Sequence, residues 1–224
     1  MRIGLEFAKT GAARYISHLD LQRAFSRAIR RSGLPVKLSE GFNPHYVVSF
    51  ASALALGMES TCECVEMALA KDVTAEEFLL RMAKALPPGL EARRAVMLAD
   101  GSPKLMAALR TAEYTVDVDV DGDLDAIAQA AKEVLAETQV LAEKTAKGVT
   151  KTIDIRGMIE DISWRDGRMV LRLSAAPEGS LRPELVMDVL HQRAGAFEYL
   201  VARTGLFTYD RGEAVDLLSF CLSV

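Results

Sequence analysis

RYISHLDLQRAFSRAIRRSGLP, residues 14–35, is the stretch around which the rest of the chain is organised. It predicts one amphipathic helix with defined ends. Ser17 stands three residues before Asp20, a capping-box variant: the hydroxyl accepts an early free amide, and the carboxylate reaches back to the Ser17 N–H. At about 100° per residue, Leu21, Phe25, Ala28 and Ile29 share one side, the stripe that a buried face needs. Arg23, Arg27 and Arg30 fall within about 60° of one another, with Arg31 at the edge of that arc. Gly33 and Pro35 end the helix in the usual order. Asp20 is the one nearby acid and can pair with Arg23. A charge run is commonly a solvated face. Arginine also matches phosphate bidentately and here repeats along one face, which makes the stripe an anion-binding candidate.

The stretch continues as VKLSEGFNPHYVVSFASALALGMES, residues 36–60. Val36 to Leu38 reads as a short extended piece and Tyr46 to Phe50 as a strand. Between them Ser39 to His45 forms a loop, because Gly41 and the Asn43-Pro44 pair resist regular structure. Ser39, Asn43 and His45 offer hydroxyl, amide and imidazole beside Phe42, and Gly41 admits close backbone approach. Two readings stand together: a loop that contacts a ligand, and a turn whose Asn and Ser satisfy their own backbone.

Two of the three histidines, His18 and His45, lie in this region. A histidine can act as general base toward a ribose hydroxyl, and Tyr15, Ser17 and Asp20 are close to His18 in sequence. No third partner is defined, so the two are catalytic candidates and no more. The spacing of His18, Asp20 and His45 matches no recognised ligand set, and no metal site is expected.

Outward from this stretch the elements follow an order. Residues 2–8 alternate as a strand; after the helix come strands over Tyr46 to Phe50 and Cys62 to Leu69. Thr74 caps a helix to about Leu86, with Glu76 and Glu77 in its first turn, and Pro87-Pro88-Gly89 stops it before a strand over Leu90 to Ala99. Strand, helix, strands, helix, strand is the split βαβ pattern of a ferredoxin-like unit. A short helical piece from Lys104 to Arg110 leads to a second series. Glu113 to Val120 reads as a strand and Asp123 to Glu137 as a helix. Val140 to Thr145 and Ile153 to Ser163 follow as strands. Met169 to Ala175 pairs back across Arg165-Asp166-Gly167, a helix starts at Pro183, and Phe197 to Thr208 is the last strand. The expected fold is α+β, two tandem ferredoxin-like (βαββαβ) units over residues 1–105 and 106–224.

Length and composition agree with this. The chain has 224 residues, half of them apolar and 26% charged, enough for two units with cores of their own. Its net charge of −4 is unevenly divided: residues 1–45 carry +5, so the remainder carries −9. Local basicity can face nucleic acid, but the whole chain is not a general polyanion binder. Three cysteines, Cys62, Cys64 and Cys221, with a C-x-C spacing and no signal peptide, point to a reducing cytoplasm. In a strand both thiols of the C-x-C face one side and read as buried structural residues. No apolar run reaches the roughly 18 residues of a membrane span, and P-loop, GxGxxG, HExxH and GxSxG are missing.

A second basic patch surrounds Lys144-Thr145-Ala146-Lys147-Gly148, with Lys151 and Arg156 beyond it. It reads either as a solvated loop or as a second set of phosphate contacts. Trp164, beside Arg165 at a hairpin turn, either caps a core edge or stacks on a base.

RYISHLDLQRAFSRAIRRSGLPVKLSEGFNPH, SFASALALGMES and CECVEMAL together resemble the radical-SAM-linked domain family, whose members are often fused to or encoded beside B12-binding radical SAM proteins. The resemblance is dense over about residues 2–70 and continues faintly through KGVTKTIDIRG, LRPELV and ARTGLF. It implies an accessory to radical chemistry, plausibly on RNA. This chain has no CxxxCxxC, so the resemblance places the iron-sulfur cluster, S-adenosylmethionine and cobalamin in a partner and no cofactor in this chain. The fold class is also similar to that of the CRISPR repeat-processing endoribonucleases.

The leading expectation is therefore a cytoplasmic substrate-recognition module. It would bind structured RNA (tRNA or rRNA) or another phosphorylated substrate for a radical SAM partner, without DNA specificity or membrane contact. Its binding residues would be Arg14, Ser17, His18, Asp20, Arg23, Arg27, Arg30 and Arg31 on the helix, and Ser39, Gly41, Phe42, Asn43 and His45 on the loop. Lys147, Lys151 and Arg156 would add contacts in the second half. The alternatives are a metal-independent endoribonuclease using His18 or His45, and a protein-interaction subunit without nucleic-acid contact.

Overall fold

Alternation along β1 (Arg2–Lys9) sends Ile3, Leu5 and Phe7 into the core of the first unit, as expected of a strand with one covered face. After a 3-10 turn, α1 (His18–Ser32) lays Leu21, Phe25, Ala28 and Ile29 on that core. Phe25 packs at 4.8 Å from Phe7 and 5.2 Å from Phe50, the latter edge-on. The computed structural model describes residues 1–119, 123–146 and 148–223. Over these the protein is mixed α+β, with mostly antiparallel strands and, among the described residues, six helices.

The described chain divides into two compact units. One comprises Met1–Arg110 with the residues from Gly205 on, the other Thr111–Thr204. In the first, β2 (Val48–Phe50), β3 (Glu59–Ala68), β1 and β4 (Leu90–Leu98) lie side by side in that order, each pair antiparallel. α2 (Ala75–Ala85) buries Phe78 and Met82 in the same core as α1. The Thr74 hydroxyl accepts the Glu77 amide at 3.1 Å, the cap read from sequence. A short helix, α3 (Leu105–Ala108), follows.

In the second unit, β5 (Thr111–Val118) precedes α4 (Leu124–Ala136), which is capped by the Asp123 carboxylate on Ala126 N at 3.0 Å. A separate two-stranded hairpin, β6 (Leu141–Ala146) with β7 (Val149–Asp154), comes next. The sequence pattern predicts a loop around Lys144 to Gly148 and one strand from Ile153 to Ser163. The Asp154 carboxylate divides that run by accepting from Val140 N and Arg156 N, both at 3.0 Å. β8 (Ile159–Arg165) and β9 (Arg168–Ala176) form the expected hairpin, with Asp166 and Gly167 at positive φ. β10 (Gly179–Ser180) pairs with β9, and α5 (Pro183–Ala194) buries Leu185, Val186, Val189 and Leu190. β11 (Tyr199–Asp210) neighbours β5, so the strand order is β8, β9, β5, β11. Val120, expected at the end of β5, lies outside the described residues.

The sequence reading assigned all residues beyond 105 to the second unit. From Gly205 the chain instead groups with the first. There β11 pairs with β12 (Glu213–Asp216), and α6 (Leu217–Ser223) presses Leu218 onto Gly4 of β1. Periodicity indicates that a strand exists but not which neighbour it joins.

Candidate functional site

α1 begins where it was read to begin. The Ser17 hydroxyl accepts the Asp20 amide at 3.1 Å. The Asp20 carboxylate does not take the reciprocal capping-box bond; it accepts from the Ser17 hydroxyl at 2.7 Å and from Arg23 at 3.0 Å. These two bonds hold the Asp20 carboxyl below its ordinary range. Gly33 closes the helix with φ 62°.

The arginines expected to act together are used differently. Arg14 stacks over the Tyr15 ring, 4.7 Å from its centroid, donates to the Tyr15 hydroxyl at 2.6 Å, and lies 3.8 Å from Glu59. Arg31 donates to the Ala85 carbonyl at the end of α2. Arg23 pairs with Asp20 but its side chain stays 60% exposed, so it remains open to a further anion. Arg27 and Arg30 are exposed and make no hydrogen bond or ion pair with the described residues. Leu19, Gln22, Arg23, Ser26, Arg27 and Arg30 line one shallow depression along the helix. The open cationic surface is thus Arg23, Arg27 and Arg30.

The histidines have separate surroundings. His18 rests edge-on against Phe50, ring centroids 5.3 Å apart, and its Nε2 lies 3.2 Å from the Gln22 amide nitrogen. His45 closes its loop on Ser39. Ser39 N donates to the His45 carbonyl at 2.7 Å, the Ser39 hydroxyl accepts from His45 N at 3.1 Å, and it lies 2.9 Å from Nδ1. Between these ends Gly41 takes φ 117°, Asn43 is exposed, and Phe42 has no burial at all.

His45 and Ser39 line a depression of about 350 Å³ in which Arg2, Ser49, Glu66 and Lys104 also take part. Sequence reasoning missed these four because they come from β1, β2, β3 and the start of α3, and nothing local marks them. Phe50 turns into the core that α1 covers, while its neighbour Ser49 lines this depression. The two histidines therefore have different neighbours on β2, and no polar contact joins them among the described residues.

Lys9 is the last residue of β1. It is 2% exposed, and its Nζ donates to the carbonyls of Arg14 and Ile16 at 3.3 and 3.2 Å. It holds the turn from which α1 departs. Burial lowers its pKa, and Glu63 partly offsets this.

In the second unit Lys151 is exposed on β7, directly across from Lys144. Like charges placed opposite one another repel, and an anion would relieve that. Lys147 lies outside the described residues. Arg156 donates to the carbonyls of Leu135, Glu137 and Ile159 at 2.8, 3.2 and 2.8 Å, so it fastens the end of α4. Trp164 is half-buried, and its indole N–H is buried without an acceptor among the described residues. Cys62, Cys64 and Cys221 are buried, and none of the three is in a disulfide; burial pushes the Cys64 and Cys221 thiols up. No helix among the described residues is long and apolar enough to cross a membrane.

A family model described as an uncharacterized protein conserved in bacteria (DUF2344) matches residues 2–183. No curated protein matches the chain. Among solved structures, one described as "Crystal Structure of a Cbf5-Nop10-Gar1 Complex" is similar at 12% identity and a TM-score of 0.46, over 93% of this chain and 50% of that one. The chain thus spans about half the length of that neighbour, and a likeness of this order says nothing of what it binds.

Proposed function

We propose that this chain, which belongs to that bacterial family, is a recognition module for structured RNA, tRNA or rRNA, or for another phosphorylated substrate. The observation that carries the reading is the exposed face of α1. Arg27 and Arg30 have no acceptor among the described residues, and Arg23 stands beside them with only the exposed Asp20 as partner. Three guanidinium groups on one rigid helix repel one another unless phosphates lie between them, and arginine binds phosphate through paired N–H donors. The fully exposed Phe42 at the tip of the 39–45 loop offers a flat apolar surface to an unstacked base.

The resemblance carried by SHLD and SEGFNPH supports a radical SAM protein as the partner to which the substrate is presented. The iron-sulfur cluster, S-adenosylmethionine and cobalamin of that chemistry are ascribed to the partner. Each unit is read as ferredoxin-like. In the first, the order β2, β3, β1, β4 with two crossing helices supports this; in the second, β8, β9, β5, β11 does so with the β6–β7 hairpin as an insertion.

Filter binding to total tRNA and to rRNA across a salt series tests the proposal. Log affinity should fall with log salt, and the triple variant Arg23→Ala, Arg27→Ala, Arg30→Ala should show a slope shallower by roughly 2 to 3, somewhat under one unit per lost contact. If wild type and variant bind equally poorly at low salt, the nucleic-acid reading fails and the face becomes a docking surface for an acidic protein.

A further inference from the structure

We propose that the depression lined by Ser39, His45, Ser49 and Lys104 is a second site, for a phosphate monoester borne by a nucleoside or by the end of an RNA chain. The site goes beyond the arginine face and shares no residue with it.

The Arg2 and Glu66 pair in this depression is already self-contained. Arg2 Nη1 donates to Glu66 Oε2 at 3.2 Å, and Leu105 N donates to the same oxygen at 3.0 Å. Arg2 Nη2 is held by the Ser102 carbonyl and by its hydroxyl, the latter at 2.9 Å. This pair adds no net charge, and the Glu66 carboxylate is neutralised before any anion arrives.

The remaining groups are donors. Lys104 is exposed and has no acceptor among the described residues, and the Ser49 hydroxyl likewise has no partner. The Ser39 hydroxyl accepts the His45 amide at 3.1 Å and lies 2.9 Å from Nδ1. In the tautomer that takes the Ser39 hydrogen at Nδ1, His45 carries its own proton on Nε2 and offers it as a further donor. An ammonium, an imidazole N–H and a hydroxyl reach the depression from three separate segments, and a phosphate monoester has three terminal oxygens to receive them, whereas a carboxylate has two.

The body of the ligand follows from the remaining lining. Tyr46, Val48 and Ala68 supply an apolar wall with one aromatic ring, which suits a planar base. About 350 Å³ is the size of a small-ligand site and accommodates one nucleotide better than a longer segment.

The test is calorimetric titration of the full chain with adenosine 5′-monophosphate, adenosine and inorganic phosphate, repeated on Lys104→Ala and His45→Gln. Both positions are exposed, and melting curves check that the variants fold. The monophosphate should bind saturably, adenosine roughly tenfold more weakly, and each variant should lose about tenfold in monophosphate affinity, the loss expected for one charge-assisted bond. Competition by a 5′-phosphorylated oligoribonucleotide, but not by its 5′-hydroxyl form, would assign the ligand to a chain end. Binding of the free monophosphate without such competition would assign it to a nucleotide. The proposal is overturned if the monophosphate does not bind saturably at millimolar concentration, if adenosine or inorganic phosphate equals it, or if its binding survives both substitutions in folded protein. The titrations with monophosphate, adenosine and phosphate contain no RNA and alter no residue of α1, so their failure leaves the salt-slope test of the arginine face intact.

Discussion

The Arg31 guanidinium donates to the Ala85 carbonyl at 2.5 Å and so fastens the end of α1 to the end of α2. Ala85 is the last residue of its helix, where carbonyls lack intrahelical partners. Arg31 is thereby separated in role from Arg27 and Arg30, which stand on the same helix with no acceptor among the described residues. Arg31→Ala is expected to lower stability by about 1 kcal/mol, the net value of a part-exposed hydrogen bond, and to leave the salt dependence of RNA binding unchanged. Arg27→Ala with Arg30→Ala should do the reverse: near-zero change in urea midpoint and a slope shallower by about 2. A shallower slope in Arg31→Ala alone would contradict this division.

Lys9 supports the turn before α1 by donating to the carbonyls of Arg14 and Ile16. Lys9→Ala leaves both acceptors unmatched and opens a cavity, at an expected cost of about 2 to 4 kcal/mol in chemical denaturation. Its pKa in the folded state lies below the ordinary 10.5 because burial opposes the charge, with Glu63 partly compensating. The unfolded chain therefore binds more protons between the folded pKa and 10.5, and stability should rise with pH across that window. The rise should be larger in wild type than in Lys9→Met. Parallel pH profiles would show that Lys9 is not the group responsible.

Arg94 stands between two carboxylates, 3.1 Å from Glu6 and 2.5 Å from Asp216. Burial tends to raise the Asp216 pKa, but bonds from Arg94 and from Ser219 outweigh it, and the result lies below the ordinary 3.8. A lowered carboxylate pKa contributes stability that is fully present above 3.8 and is lost as pH falls through the folded value. Asp216→Asn should therefore be less stable than wild type at pH 7, and the two unfolding free energies should converge in acid. A gap that persists well below the folded pKa would rule out this linkage.

Gly89 has φ +82°, and a Cβ there would meet the Ala13 Cβ at 2.7 Å and the Thr10 carbonyl oxygen at 2.8 Å. Both neighbours belong to the segment that leads into α1, and Thr10 N also donates to the Gly89 carbonyl at 2.9 Å. Gly89→Ala combines left-handed strain with a backbone clash and should cost about 2 to 4 kcal/mol. The thermal midpoint reports it directly. A shift of less than a degree or two would mean that the turn relaxes freely.

The limits of α1 could be read from its residues because each is set by neighbours within four positions. Ser17 caps Asp20, the apolar stripe recurs at helical spacing, and Gly33 adopts the left-handed turn. The hairpin at Asp166-Gly167, the cap at Thr74 and the helix start at Asp123 were legible for the same reason. The roles of the charged side chains were not. Arg156 reads as part of a basic patch, and its bonds to the carbonyls of Leu135 and Glu137 escape a local reading because they reach about twenty residues back along the chain.

By itself the sequence determined local periodicity, the element order outside residues 141–165, the mixed α+β class and the cationic face of α1. These depend on 2.0- and 3.6-residue repeats and on nearby caps, which a linear reading contains. Tertiary structure alone decided which of the arginines remain open, that Lys9 is buried, and that the chain from Gly205 on joins the first unit. It also brought Arg2, Ser49, Glu66 and Lys104 to the loop of Ser39 and His45. Donors and acceptors find their partners through space, and strand pairing joins segments so far apart in sequence that no short window contains them.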